Sequence, residues 1–332
     1  MKKAVITAVG HYVPDNIITN KYFEERMDTT DEWITTRTGI RERRYAPDDM
    51  ATSDMGVRAI EDCLKMRGID KDEVDFIICA TVTPDHVFPA TACLIQHKLG
   101  MKHPKIWGFD ISAACSGFIF ALETARRLIE SGGSKKAIVV GADKMTAIVD
   151  PLDRATCIIF GDGAGAVLLE ASDDDSVGII DSVLHVDGSG LPHLHMKAGG
   201  SVMPASHETV DQRLHYAYQE GQHVFKAAVK SMADATSDVM QRNNLTGNDV
   251  AWLVPHQANL RIIEATANRM ELDIDRVMIN IQRYGNTTAG TIPICLSEWQ
   301  KEGKIKYGDN MIVAAFGGGF TYGAMFLKWG IK

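Results

Sequence analysis

The sequence predicts an α/β protein built from two similar halves. With 332 residues, the chain is long enough for about two domains of roughly 150 residues each. Short apolar segments alternate with amphipathic segments of helical length, which is typical of helices packed on a largely parallel sheet. The order of these segments repeats after about 174 residues, so we predict an internal duplication. The halves are predicted to span residues 1–174 and 175–332.

The repeat begins with the first strand of each half. Residues 3–9 (KAVITAV) correspond to residues 177–183 (VGIIDSV). A helix follows in each half, because apolar residues recur there at helical spacing; these are Val57, Ile60 and Leu64 in the first half, and Phe225, Ala228, Val229 and Met232 in the second.

The later elements of the two halves also correspond. A turn leads into a strand over 68–78 in the first half and over 245–254 in the second. Each half then closes on a strand, over 137–141 and 311–315. Residues 187–220 break the pattern: they are rich in Gly and His and lack periodicity, so we predict a long surface loop that can cover a site.

Composition and charge limit the class of protein. Acidic residues outnumber basic ones by 43 to 35, for a net charge of −8, which argues against bulk nucleic-acid binding. No apolar stretch approaches the ~18 residues of a membrane span, and the start of the chain lacks a signal-peptide core. Six scattered cysteines contain no Cys-x-x-Cys pair, so we expect reduced thiols and a cytoplasmic protein without a membrane partner.

The sharpest local signal surrounds Cys115. A strand over 106–111 is predicted to turn through small residues into a helix with the apolar face Phe118, Leu122, Ala125 and Ile129. Small neighbours permit the tight strand-to-helix turn of a nucleophile elbow. The helix N-terminus is expected to favour the thiolate of Cys115. A buried structural thiol is the alternative, and we favour that role for Cys63, Cys79, Cys93, Cys157 and Cys295.

Partners for a nucleophilic thiol occur in the second half. His256 follows the strand over 252–254, and Asn286 follows a predicted strand over 277–281. Ligands of α/β folds gather at the carboxyl ends of strands. By spacing alone, either residue can equally be an ordinary turn or structural residue.

Two glycine-rich segments differ in what they predict. The loop 316–320 (FGGGF) follows the strand over 311–315, so its backbone amides can supply an oxyanion hole or form a simple tight turn. Residues 160–166 (FGDGAGA) formally fit a dinucleotide fingerprint, but a strand-like run follows instead of a helix. We therefore reject dinucleotide binding there.

A basic cluster and a histidine cluster are further candidate binding sites. Residues 31–44 place four arginines around Trp33, a combination that can hold phosphates and stack a purine, or can be a solvated face. His193 and His195 lie near His185 and His207. No acidic or thiol partner stands at ligand spacing, so no metal is expected.

Six motifs, taken together, resemble the β-ketoacyl-[acyl-carrier-protein] synthase III family of thiolase-like condensing enzymes. They occur in order along nearly the whole chain: DEWITTRTGIRER (31–43), DISAACSGF (110–118), IFGDGAGAVLL (159–169), PHQANLRI (255–262), YGNTTAG (284–290) and AFGGGFTYGA (315–324). The resemblance implies a thiolase-like duplicated α/β/α/β/α five-layer sandwich that forms a homodimer.

The resemblance also implies the chemistry. Cys115, His256 and Asn286 match the family's Cys-His-Asn triad, and the backbone amides of Cys115 and Gly318 match its oxyanion hole. The implied reaction starts type II fatty acid biosynthesis. An acyl-CoA, acetyl-CoA being favoured, acylates Cys115, and malonyl-acyl carrier protein then loses CO2 and condenses with the acyl group.

Further positions match family contacts with the substrates. Trp33, Arg37 and Arg154 match residues that contact the nucleotide of CoA, and Lys226 and Arg261 match basic residues at the phosphopantetheine entrance. Phe88 matches a residue that crosses the dimer to bound the partner's acyl pocket. The implied substrates are the CoA thioester and the phosphopantetheine of acyl carrier protein, with no permanently bound cofactor.

Three rival hypotheses remain from the sequence. His256 lies 141 positions after Cys115, within the about 130 to 150 residues typical of papain-like hydrolases, although their signature around the cysteine is absent. A condensing enzyme of secondary metabolism has the same triad with another acyl donor or acceptor. A non-catalytic acyl-CoA-binding protein does not need all three triad residues.

Overall fold

The computed structural model describes residues 2–102 and 105–332. Its strands are β1 (Lys3–Tyr12), β2 (Ile17–Thr19), β3 (Glu42–Arg44), β4 (Phe76–Ala80), β5 (Trp107–Ile111), β6 (Lys136–Asp143), β7 (Gly163–Ser172), β8 (Gly178–Val186), β9 (Leu194–Met196), β10 (Ala217–Gln219), β11 (Trp252–Pro255), β12 (Asn310–Gly317) and β13 (Thr321–Lys328). Its α-helices are α1 (Asn20–Glu24), α2 (Asp31–Thr38), α3 (Thr52–Arg67), α4 (Thr91–Leu99), α5 (Gly117–Glu130), α6 (His207–Asp211), α7 (Gly221–Arg242), α8 (Leu260–Arg269), α9 (Ile281–Tyr284) and α10 (Thr291–Lys301).

Two sheets of like topology form the frame. The first has the order β1-β7-β6-β4-β5 and the second the order β8-β13-β12-β11. In each sheet the first three strands are antiparallel neighbours and the next pair, β6 with β4 or β12 with β11, is parallel. The duplicated α/β fold is therefore confirmed, while the division at residues 174 and 175 stays a prediction.

The helices and sheets make five layers. Helices α3 and α4 cover the outer face of the first sheet, and α7 covers the outer face of the second with α8 packed beside it. Helices α5 and α10 contact strands of both sheets, so they form the central layer. One apolar core joins α5, α10 and the facing sides of both sheets, which places the N-termini of the two central helices at the junction between the halves.

Two predicted elements differ from the structure. The strand predicted over 277–281 is absent: Val277 makes one isolated parallel bridge to Leu253, and helix α9 begins at Ile281. The segment 187–220 is not a plain loop, since β9 and β10 pair within it and α6 lies between them. Its backbone groups bond to one another, so the segment has order that hydrophobic periodicity does not reveal.

No helix in the described part of the chain is long and apolar enough to cross a membrane.

Candidate active site

A cavity of about 180 Å³ lies where the two halves meet. Cys115, His256 and Asn286 all line it, together with Gly317. Its remaining walls are mainly apolar and include Val224, Phe225, Ala228, Met232, Ile262 and Phe316. The structure thus brings together the three predicted triad residues, which are far apart in the sequence, at the end of one apolar pocket.

Cys115 lies on a tight elbow between β5 and α5. Ala114 adopts the left-handed conformation with φ of 46°, and a 3₁₀ turn over Ala114–Ser116 leads directly into the helix. The Ser116 hydroxyl donates to the Ala113 carbonyl at 2.8 Å, and the Thr321 hydroxyl of the second half donates to the same carbonyl at 2.8 Å. The predicted elbow is confirmed, and a residue from the other half helps to hold it.

The predicted thiolate at Cys115 is wrong for the resting site. Burial raises the pKa of the Cys115 thiol to about 12, and the charge of Asp143 raises it further. A hydrogen bond from the Asn286 side chain acts in the opposite direction but does not offset the burial. With a pKa of about 12, the thiol is protonated at neutral pH in the free protein.

His256 leaves the carboxyl end of β11 and is almost fully buried. Its Nδ1 lies 2.8 Å from the Thr291 hydroxyl at the start of α10. Among the residues that the structure describes, its Nε2 has no hydrogen-bond partner. Burial lowers the pKa of His256 to about 3, because a charged imidazolium is poorly solvated there. The ring is therefore neutral at physiological pH.

Asn286 is oriented by its backbone neighbours. Its Oδ1 accepts a hydrogen bond from the Thr288 amide at 2.8 Å, which leaves the side-chain NH2 to donate to the Cys115 sulfur. Gly285 precedes it with φ of 62°, and a Cβ there would lie 2.7 Å from the Ile159 carbonyl oxygen. Only glycine fits this conformation without strain, so the Gly-Asn pair has a structural reason beyond turn preference.

Asp143 is a site residue that the sequence analysis missed. Its fully buried carboxylate accepts hydrogen bonds from the backbone or hydroxyl groups of Thr81, Val82 and Thr83, and from the Ala289 amide at 3.2 Å. Burial raises the pKa of Asp143 to about 6 although these bonds lower it. Asp143 therefore joins the end of β6 to the segment after Asn286. In the sequence, only its position at the end of a strand indicates a role at the site.

The glycine loop approaches the nucleophile through Gly317. A Cβ at Gly317 would lie 2.6 Å from the Cys115 amide nitrogen, and one at Gly318 would lie 3.4 Å from the Leu194 side chain. The absence of a side chain thus lets the loop backbone approach the elbow closely. The oxyanion role of the Cys115 and Gly318 amides stays a prediction.

The predicted CoA residues converge at an exposed surface. Helix α2 begins after Thr30, whose side chain accepts from the Trp33 amide, and ends at Gly39 with φ of 82°. The guanidinium carbons of Arg37 and Arg154 lie 4.7 and 5.0 Å from the Trp33 ring centroid. Two cations from separate segments therefore flank one aromatic ring, and the CoA role of these three residues stays a prediction.

Arg43 does not belong to that basic surface. It is fully buried, and its guanidinium donates to the carbonyls of Ile18 and Ile158 and to the Asn20 side chain. Burial lowers the pKa of Arg43 to about 10. The hypothesis that all four arginines surround Trp33 as ligands is wrong, because one of them ties β3 to the core.

Lys226 and Arg261 are both exposed on the helices beside the pocket. The Arg261 guanidinium carbon lies 5.1 Å from the ring of Phe225, which lines the cavity. Asn259 caps α8 by accepting from the Arg261 amide and donates to the Arg37 carbonyl at 2.8 Å. Asn259 therefore connects the basic region at Arg37 with the one at Arg261, next to the cavity. Its sequence context indicates only a helix cap.

Two other predictions concern the walls of the pocket. Leu194 and Gln219, from the segment 187–220, line the cavity, so this segment does cover the site. Phe88 lies outside the cavity and is 84% exposed in the single chain. The rejected dinucleotide fingerprint runs into strand β7, with no helix after it.

Two α/β halves with a cysteine, a histidine and an asparagine lining one cavity at their junction define a thiolase-fold condensing enzyme. The family 3-oxoacyl-[acyl-carrier-protein] synthase III matches residues 109–188, and its C-terminal part matches residues 240–329. The chain belongs to this family. It is an acyltransferase that condenses acyl-CoA with malonyl-acyl carrier protein to initiate fatty acid synthesis, and both compounds are its substrates.

Close relatives and solved structures cover the whole chain. The chain is 53% identical to the β-ketoacyl-[acyl-carrier-protein] synthase III of Koribacter versatilis over 330 residues, which are 99% of this chain and 98% of that protein. It is also 53% identical to the enzyme of Chlorobaculum tepidum over 98% of this chain and 99% of that one. The crystal structure of the Aquifex aeolicus enzyme matches with a TM-score of 0.89 and 41% identity, over 99% of this chain and all of that one. The hypotheses of a papain-like hydrolase and of a non-catalytic acyl-CoA-binding protein are therefore excluded.

Proposed function

We propose that Cys115 carries the acyl group and that His256 and Asn286 assist the decarboxylative condensation. The observation that supports this assignment is the convergence of these three side chains in one apolar cavity. The first stage is thioester exchange: the sulfur of Cys115 attacks the acyl carbonyl, the bond from that carbonyl to the CoA sulfur breaks, and CoA leaves as a thiol that takes up the proton lost by Cys115. Because the resting thiol is protonated, deprotonation accompanies the arrival of the substrate.

In the second stage the malonyl group loses CO2, and its electron pair forms an enolate. That enolate attacks the acyl-Cys115 carbonyl, forms the new carbon–carbon bond and expels the Cys115 thiolate. The developing enolate oxygen requires hydrogen-bond donors in a water-poor site. The Asn286 NH2 group is one donor, and neutral His256 is the other when its proton resides on Nε2. In that tautomer, Nδ1 accepts a hydrogen bond from the Thr291 hydroxyl 2.8 Å away.

The acyl carbonyl oxygen needs separate donors. We assign this role to the backbone amides of Cys115 and Gly318, on the elbow and on the glycine loop beside it. Fixed backbone dipoles stabilise the tetrahedral oxyanion without reorganising during the reaction. The close approach of Gly317 to the Cys115 amide supports this arrangement, because it aligns the two segments.

The surface around the cavity suits two anionic substrates. Trp33 with Arg37 and Arg154 is assigned to the nucleotide of CoA, since a purine can stack on the ring while the guanidinium groups bind phosphate. Lys226 and Arg261 are assigned to the entrance for phosphopantetheine and its acidic carrier. Acetyl-CoA is the proposed primer, in keeping with a cavity of only about 180 Å³.

We also assign a homodimer, in which Phe88 of each chain bounds the acyl pocket of the other. Strand β5 is an edge strand of the first sheet, and its Trp107 is 42% exposed beside Phe76. Exposed edge strands with aromatic side chains favour pairing with a second copy. Phe88 and Val87 add further exposed apolar surface. Sedimentation at micromolar concentration measures this directly, and a monomer would contradict it.

The proposed location is the cytoplasm, without a membrane partner. All six cysteines are free thiols, which suits a reducing compartment.

The proposed mechanism is tested by incubating the protein with acetyl-CoA and malonyl-acyl carrier protein. Mass spectrometry is expected to find an acetyl group on the peptide that contains Cys115, and the β-ketoacyl product on the carrier. A product formed without that adduct would contradict the role of Cys115. Longer or branched acyl-CoA substrates, supplied in competition, test the acetyl assignment, and preferential loading of one of them would overturn it.

Asn286→Ala separates the two stages. Loss of a donor to a developing oxyanion typically costs about 10²–10³-fold in rate, so condensation should fall by that factor while acetylation of Cys115 persists. Asn268→Ala is the matched control, since this asparagine is exposed on α8 and does not line the cavity. Normal condensation by Asn286→Ala would show that its assigned role is wrong.

A further inference from the structure

Three ligating side chains meet at the rim of the active-site cavity, outside the triad. His193 precedes β9, Glu220 immediately precedes α7, and His223 lies in the first turn of that helix. The two oxygens of Glu220 lie 2.5 Å from His193 Nδ1 and 2.7 Å from His223 Nδ1. We propose that His193, Glu220 and His223 form a binding site for a divalent transition-metal ion such as Zn²⁺.

The donor set suits such an ion. Two imidazole nitrogens and one carboxylate are ligands that zinc uses, with a fourth position left for water. The ligand atoms of all three side chains lie within 4.8 Å of one another. The carboxylate supplies a negative charge, which attracts a dication. Tetrahedral zinc with bonds of about 2.0 Å separates its ligands by about 3.3 Å, so the observed distances need only a small expansion.

The ligand atoms of the two histidines already lie around one carboxylate. The rings of His193 and His223 stack almost parallel, with centroids 4.5 Å apart and an interplanar angle of 8°. Both rings present Nδ1 to the same carboxylate, so neither has to turn over. One ring must tilt out of the stack to bring both Nδ1 lone pairs to one ion. Ligands that are prepositioned lose little side-chain entropy when an ion binds.

The backbone holds the two contributing segments together. The Glu220 amide donates to the His193 carbonyl at 2.8 Å, and the Val224 amide donates to the Glu220 carbonyl at 3.1 Å. The His193 amide donates in turn to the Gly190 carbonyl at 3.0 Å. The cluster is therefore built between the start of α7 and the segment that covers the pocket, rather than formed by freely moving surface side chains.

Spacing along the sequence predicts no metal site at His193 and His195, because no acidic or thiol partner stands at ligand spacing. In the structure His195 points elsewhere and donates from Nδ1 to the Leu191 carbonyl. The acidic ligand is Glu220, 27 positions beyond His193. Pairing of β9 with β10 brings that residue back to His193, so chain folding rather than local spacing creates the site.

An ion here is expected to stiffen the mouth of the cavity. Each of the three proposed metal-binding residues is adjacent in sequence to a residue that lines the pocket. These lining residues are Leu194, Gln219, Gly221 and Val224. Metal binding joins the covering segment to α7 and reduces the opening motions of both. The proposal adds no step to the condensation and does not depend on the roles assigned to the triad.

The experiment uses the untagged full chain with Cys115→Ala, so that the nucleophile cannot bind metal. Isothermal titration with Zn²⁺ is expected to show one ion per chain, and hydrogen exchange should show protection over residues 190–224. Co²⁺ in the same site should give the absorption of a nitrogen- and oxygen-ligated ion, without the charge-transfer band of a thiolate ligand.

His223→Ala and Glu220→Gln are expected to weaken Zn²⁺ binding at least tenfold. His195→Ala and His207→Ala are the matched controls and should bind as tightly as the parent, because neither side chain belongs to the cluster. His223 is exposed, and circular dichroism confirms that its variant is folded. The proposal is overturned by the absence of saturable binding, by equal binding in His223→Ala, by a thiolate band, or by an equal loss in His195→Ala.

Discussion

The two central helices begin with the same backbone device but carry different chemistry. Before α5, a 3₁₀ turn covers Ala114–Ser116, and before α10 a 3₁₀ turn covers Thr288–Gly290. Each turn starts with a non-glycine residue in the left-handed conformation, Ala114 with φ of 46° and Thr288 with φ of 54°. The second residue of the turn is Cys115 in the first half and Ala289 in the second. One elbow thus carries a nucleophile and its counterpart carries a methyl group.

The surroundings of these two positions differ as much as the side chains do. Cys115 lines the cavity, whereas Ala289 is only 1% exposed and its amide donates to the buried Asp143 carboxylate. The second turn supports the other two triad residues. Asn286 lies just before this turn, and Thr291, just after it, contacts His256. The comparison teaches that duplicated backbone geometry is not sufficient for catalysis. Exposure to the pocket and the partners supplied by the other half decide which elbow reacts.

The largest expected effect comes from making the first elbow like the second. Cys115→Ala should abolish acylation and lower condensation by at least about 10⁴-fold, because no other group at the site forms a thioester. Measurement of acetyl transfer from labelled acetyl-CoA checks this. Cys93→Ala should leave loading intact, because this thiol is exposed away from the pocket; the prediction that Cys93 is buried is wrong.

The converse substitution sharpens the same comparison. Adding Ala289→Cys to Cys115→Ala restores a thiol on an elbow of the same backbone form, but at a buried position. No acylation is expected, because the substrate cannot reach it. Acetyl transfer to the double variant would show that elbow geometry alone is enough.

A smaller loss is expected from disturbing the contact between the first elbow and the glycine loop. Gly317→Ala places a Cβ 2.6 Å from the Cys115 amide nitrogen, so one segment must move. Displacements of this order at a reacting centre cost about 10- to 100-fold, and kcat should fall more than KM rises. Gly188→Ala is the control, because a Cβ at Gly188 meets nothing within 4 Å and this residue has no assigned role in the reaction. Equal kinetics for the two variants would argue against this backbone contact.

His256 links acid stability to the second elbow. Its folded pKa of about 3 lies below the ordinary value of 6.5, so the unfolded chain binds the extra proton first. The free energy of unfolding should therefore fall by about 1.4 kcal/mol per pH unit from this group as pH drops from 6.5 towards 3. His256→Gln should lack that contribution in denaturant titrations. Asp143, whose pKa is raised to about 6, changes the free energy of unfolding in the opposite direction as pH falls. Because Asp143 is present in both the parent and His256→Gln, the difference between their free energies of unfolding isolates His256.

The smallest effect concerns the Asp143 carboxylate, which accepts from the Ala289 amide of the second elbow and acts on Cys115 of the first. Asp143 raises the pKa of Cys115, so Asp143→Asn should favour the thiolate and speed alkylation by iodoacetamide about threefold at fixed pH above 7. Asp162→Asn removes another buried carboxyl and serves as control. Unchanged or slower alkylation of Asp143→Asn, with normal folding, would contradict this electrostatic link.

Much of the site was predictable because local sequence patterns specify local geometry. Small residues around Cys115 indicated an elbow, and the strand before His256 indicated a site at its carboxyl end; both residues lie where they were expected. Asp143, Thr291 and Asn259 were missed because each acts through a partner at least 35 positions away. No spacing rule identifies such a partner before the chain is folded.

By itself, the sequence determined a duplicated α/β fold, the elbow at Cys115 and membership of a condensing-enzyme family. Those properties depend on short-range periodicity, on small residues at turns and on motifs in order. Only the tertiary structure decided that the Cys115 thiol is protonated at rest, that Arg43 is a core residue and that Glu220 meets two histidines. These depend on burial and on contacts between distant segments, because desolvation and pairing energies arise from how the elements pack.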